Sequence, residues 1–100
     1  MRTYTVVLSP DQESGGYSVS VPALPGAVSD GHTREEALAN VRDAMEGWLE
    51  VAFEFGNDGL VESPELILED IAFVLGWRAE EGLPLLVETA LVSVAVPVPA

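Results

Sequence analysis

Cysteine is absent from the 100 residues, which excludes disulfide staples, thiolate-bound zinc and thiol nucleophiles together. Lysine is absent too. The whole cationic complement is Arg2, Arg34, Arg42 and Arg78, set against 17 acidic residues for a formal net charge of −13. Affinity for nucleic acid comes chiefly from Lys and Arg neutralising phosphates, so direct binding of DNA or RNA is not expected. Anionic membrane surfaces are disfavoured on the same ground. A basic protein partner is favoured, because opposite net charges speed encounter and reject wrong partners. The one histidine, His32, has neither a neighbouring serine nor a second histidine with which to build a triad or a metal site. Long apolar runs are also missing. Val6-Val7-Leu8 is too short for a signal core, and residues 83–100 carry Glu88 and are broken by Pro84, Pro97 and Pro99. A cytoplasmic location is the expectation.

What is present is an apolar surplus, 48% of residues with a mean hydropathy of +0.27. Disorder needs low hydrophobicity as well as high charge, so the chain is expected to fold, as one domain over residues 1–100. Residues 3–8 are rich in β-branched and aromatic side chains and read as a strand. After a polar loop, residues 17–21 alternate large apolar residues with serine, the pattern of a strand with one wet face. Pro22-Ala23-Leu24-Pro25-Gly26 ends it, and residues 27–30 read as a short third strand. Thr33 and Glu36 form a capping box. Behind it Ala37, Leu38, Val41, Met45, Trp48, Leu49, Ala52 and Phe53 make one apolar stripe on a helix of roughly 20 residues, stopped by Gly56-Asn57-Asp58-Gly59. Ser63-Pro64-Glu65 starts a second helix within an insert at about 62–81, apolar over more than one face and expected to be the more buried of the two. Residues 91–96 read as a last strand, closed by Pro97. The fold class is α+β in the order β-β-β-α-(α)-β, an antiparallel sheet packed on a helix.

Specific residues stand at the joints: Gly16-Tyr17, then Pro22, Leu24, Pro25 and Gly26, then Gly31-His32-Thr33-Arg34-Glu35-Glu36-Ala37. In this order and spacing they resemble the HicB-like antitoxin family over roughly residues 3–55. The resemblance implies a truncated ribonuclease H-like fold, usually oligomeric (dimer or tetramer here), that binds and silences a small basic mRNA-cleaving toxin without being an enzyme. Many members add a C-terminal DNA-binding module. This sequence ends at Ala100, so autorepression is not expected of it.

Asp43, Glu46, Glu50 and Glu54 step by three, four and four residues and fall on one helix face. They are the first candidates for docking a basic toxin, with Glu35 and Asp30 at the start of the helix as second choices. Ribonuclease H-type catalysis uses clustered carboxylates that project partly from strands, and residues 3–8, 17–21 and 91–96 contain none. No catalytic residue, metal or cofactor is therefore expected. Trp48 and Trp77 are assigned to core or interface. The alternative reading is a stand-alone homo-oligomer without a toxin, held by Ile71, Val74 and Leu75 of the insert helix and by Val92, Val94 and Val96 of the last strand.

Overall fold

Alternation sets the sheet. In the computed structural model, which describes residues 1–57 and 61–96, the first segment forms β1 (Arg2–Pro10), followed by β2 (Tyr17–Ser20) and β3 (Val28–Gly31). Two helices follow, α1 (Arg34–Glu54) and α2 (Pro64–Glu80), and the last strand is β4 (Glu88–Val94). The sheet order is β3-β2-β1-β4 and every pairing is antiparallel. The first and last strands are thus neighbours, with Arg2 opposite Val94 and Leu8 opposite Glu88. The α+β class and element order agree with the expectation from sequence, and β4 starts three residues earlier than expected.

Residues of one parity build the core. Tyr4, Val6, Leu8, Val19, Val92 and Val94 point to the same face and pack against Ala37, Val41, Met45 and Leu49 of α1. The Pro22–Gly26 segment belongs to this layer, for Ala23 and Leu24 are fully buried and the Trp48 indole donates to the Pro25 carbonyl at 2.9 Å. Gly26 takes φ +93°, which a glycine adopts without strain. Thr33 caps α1, its Oγ1 accepting the Glu36 amide at 3.0 Å. Gly56, at φ +72°, follows the C-cap of α1. Asp58, Gly59 and Pro97, also assigned as stop signals, lie outside the described residues.

Two expectations need correction. Val92 and Val94, offered as interface residues, spend their side chains in the core beneath α1; the outward apolar residue of β4 is Leu91, 72% exposed. The second concerns α2, which is not the more buried helix: its single buried residue is Arg78, against five in α1. The cause is the face it covers. α2 lies on the second side of the sheet, where Thr3, Thr5, Ser9, Ser18 and Ser20 surround the lone buried Val7. Such a surface offers little apolar area, so the contacts are largely polar. Arg78 donates to the Pro84 carbonyl, the Ser9 hydroxyl and the Pro10 carbonyl. Asp70 accepts from the Ser20 hydroxyl at 2.7 Å, and the Glu62 carboxylate takes the Thr5 amide and hydroxyl. Trp77, assigned to core or interface, is about half exposed.

Candidate functional site

The apolar arc of α1 turns its complementary face outward. Asp43, Glu50 and Glu54 are exposed on that face and Glu46 is half-buried. At 1.5 Å per residue the stripe runs about 16 Å along the helix. The last turn of α1 contains no basic residue, so Glu50 and Glu54 stand near the negative end of the helix dipole without a cation from their own turn. Neighbouring acids three and four apart repel by roughly 0.2–0.5 kcal/mol per pair. Arg42, four residues before Glu46 on the same helix, offsets part of that repulsion, and a cationic partner would offset more.

Beside the stripe lies an apolar groove of about 520 Å³, formed by Ala44, Gly47, Trp48, Val51 and Phe55 with the Gly26-Ala27 backbone. Gly47 is four residues from Asp43 and three from Glu50, so the floor of the groove and the acids are side-by-side rows of one helix. The small residues Ala44 and Gly47 leave the space, and the exposed rings and methyls of Phe55 and Val51 form its wall. This groove is missed by sequence reasoning, which gives Trp48 to the core or an interface. The available signal is the width of the apolar arc on α1: adding Val51 and Phe55 makes it broader than one sheet face needs.

The second-choice acids do not join the stripe. Glu35 lies at the opposite end of α1, about 28 Å from Glu54. Asp30 lines a different cleft, of about 650 Å³, between α2 and the β2–β3 hairpin, together with Leu66, Phe73, Asp70 and the serines Ser18, Ser20 and Ser29. Of the proposed interface residues, Ile71, Val74 and Leu75 are half-buried on α2, and Val96 lies past the end of β4. His32 is exposed in the β3–α1 junction. Among the described residues no group of three or more His, Asp or Glu converges as a metal site, and no helix is long and apolar enough to cross a membrane.

Several motif residues make structural contacts. Gly16 and Gly31 meet where the end of the β2–β3 pair abuts the start of α1, and Asn40 reaches back from α1 to the Asp30 carbonyl at 2.8 Å. Comparison with known proteins bears on this scaffold. A family model described as HicB-like antitoxin of bacterial toxin–antitoxin systems matches residues 4–72. A UPF0150 protein of Thermoplasma acidophilum is 47% identical over 47 residues, covering 47% of this chain and 67% of its own length. Antitoxin HicB 1 of Photorhabdus laumondii subsp. laumondii is 52% identical over 52 residues, which is 52% of this chain but 30% of that protein. The crystal structure of the N-terminal domain of Burkholderia pseudomallei antitoxin HicB superposes with a TM-score of 0.62 at 30% identity, covering 95% of this chain and all of that domain. Against a crystal structure of the same antitoxin beyond that domain, the chain spans 64% of the length.

Proposed function

The chain belongs to the HicB-like antitoxin family, and from that premise we propose that it neutralises a small, basic, mRNA-cleaving toxin through the outer face of α1. The supporting observation is the pairing of four carboxylates with an apolar groove on one helix. Carboxylates alone steer and orient a cationic protein, and the groove beside them adds a desolvated anchor point. An apolar side chain of the toxin would enter between Trp48, Val51 and Phe55, while its Arg and Lys side chains meet Asp43, Glu46, Glu50 and Glu54. Covering the basic residues that the toxin needs for RNA would silence it without any chemistry on the antitoxin's part. In this reading the chain is non-enzymatic and works by occupancy.

The test is co-expression with a small basic toxin of the kind this reading requires, sought in the adjacent reading frame, followed by titration of the purified pair. Reversing all four charges (Asp43→Lys, Glu46→Lys, Glu50→Lys, Glu54→Lys) should leave the circular dichroism spectrum intact and weaken binding by at least about a hundredfold. RNA cleavage by the toxin should then persist in the presence of the variant. Unchanged affinity at low salt would refute the assignment of this face.

A further inference from the structure

β3 is an outer strand of the sheet, and two contacts fix which of its backbone groups turn away from β2. The Gly31 carbonyl oxygen stands 2.7 Å from where a Cβ on Gly16 would sit, and Gly31 lies opposite Tyr17, so this carbonyl points into the sheet. The Asp30 carbonyl instead accepts from the Asn40 side chain at 2.8 Å. In an antiparallel ladder alternate residues exchange bonds with the neighbouring strand. Ser29 and Gly31 therefore bond inward to β2, while Val28 and Asp30 turn their N–H and C=O groups outward. Asn40 takes one of these, the Asp30 carbonyl, which leaves the Val28 N–H and C=O and the Asp30 N–H facing out.

The side chains of this edge open onto the cleft of about 650 Å³ between α2 and the hairpin. Val28 lies opposite Ser20 and Asp30 opposite Ser18. The Ser20 hydroxyl donates to Asp70 of α2, which places Val28 and Asp30 on the α2 side of the sheet. Val28 is 62% exposed, and Phe73 on the α2 wall is 76% exposed. Three consecutive residues, Val28, Ser29 and Asp30, line the cleft. Successive side chains of a strand point to opposite faces, so the cleft reaches round the backbone edge as well as over the face. Its charge has one sign: Asp30, Glu69 and Asp70 line it, and among the described residues that do so none is cationic. Outward backbone groups beside apolar walls and carboxylates suit an extended segment. A helix would bring a backbone already satisfied within itself.

We propose that the β3 edge and this cleft bind an extended cationic segment of a partner protein by strand addition. The segment's backbone pairs with Val28 and Asp30, adding a strand outside β3. Its side chains opposite those two residues fall on the α2 side. The one beside Val28 is apolar and packs under Phe73, and the one beside Asp30 is Lys or Arg and meets Asp30 and Glu69. The recognised pattern is a cation and an apolar residue two positions apart. This surface meets the α1 groove only at Gly26-Ala27, and its test is separate from that of the α1 assignment.

The probe is a blocked Lys-Val-Lys-Val-Lys-Val peptide titrated into the full chain and followed by amide NMR. In the free chain the Ser29 and Gly31 amides should be protected from hydrogen exchange, while those of Val28 and Asp30 exchange freely. Peptide shifts should reach half-saturation below about 1 mM, with exchange at Val28 and Asp30 slowed at least about tenfold. The same peptide with its backbone N-methylated keeps its charge but cannot pair as a strand, and should protect neither amide. Asp30→Lys combined with Glu69→Lys should weaken binding at least about tenfold while Ser29 and Gly31 stay protected, which reports an intact hairpin. No saturable shift by about 1 mM, equal binding by a peptide with Glu for each Lys, or equal protection by the N-methylated peptide would each overturn the proposal. Protection of Val28 and Asp30 in the free chain, rising with its concentration, would give the edge to a second copy and overturns it equally.

Discussion

A Cβ on Gly31 would lie 2.8 Å from the Glu36 carbonyl carbon and from the Ala37 Cα, and one on Gly16 would lie 2.7 Å from the Gly31 carbonyl oxygen. All of these neighbours are backbone, which cannot swing aside as a side chain would. Gly31→Ala should therefore destabilise the fold by about 1–3 kcal/mol, read as a lower urea midpoint at unchanged slope. The same substitution at Gly76, exposed in α2 with open space around it, should stabilise by about 0.5–1 kcal/mol because it removes backbone freedom from the unfolded chain. Opposite signs from one chemical change would establish that the first glycine is held by close approach. A second prediction at this scale concerns Asp11, whose carboxyl is held below its ordinary range by the Ser14 hydroxyl and then by the Glu13 and Ser14 amides. Its folded pKa is depressed, so its contribution to stability is present above the unfolded value of about 3.9 and fades as pH falls through the folded one. Ser14→Ala should move the Asp11 titration back toward the ordinary value, measured by NMR.

At the scale of elements the two helices differ in how much the sequence discloses. α1 is legible because Thr33 and Glu36 mark its start and the stripe from Ala37 to Ala52 has a polar complement. α2 is legible as a helix, from Ser63-Pro64, but its surroundings are not: apolar residues on several faces say that cover is needed without saying what supplies it. The wet pattern of Tyr17-Ser18-Val19-Ser20 already shows that one sheet face has little apolar area to offer, and this is the face that α2 occupies. The groove on α1 stays hidden in sequence for a related reason, since Val51 and Phe55 fit a core pattern and the sheet is too narrow to reach them. The acidic end of α1 permits a prediction about conflict between stability and binding. Glu54→Lys removes repulsion from Glu50 and places a cation at the helix C-terminus, so it should stabilise by about 0.3–1 kcal/mol. The same variant should bind the basic partner less tightly. A higher melting temperature with undiminished binding would place Glu54 outside the docking surface.

Across the whole molecule acids outnumber bases by 17 to 4, and on the outer face of α1 four of them share one row. In the proposed complex, attraction between the α1 face and a basic toxin would be electrostatic at long range, and the Debye length shortens from about 30 Å at 0.01 M salt to about 8 Å at 0.15 M. Toxin association should therefore slow as salt rises across that interval, with most of the loss in the on-rate. An on-rate indifferent to salt across that interval would mean that the carboxylates of the α1 face do not steer the partner, and would count against the docking surface.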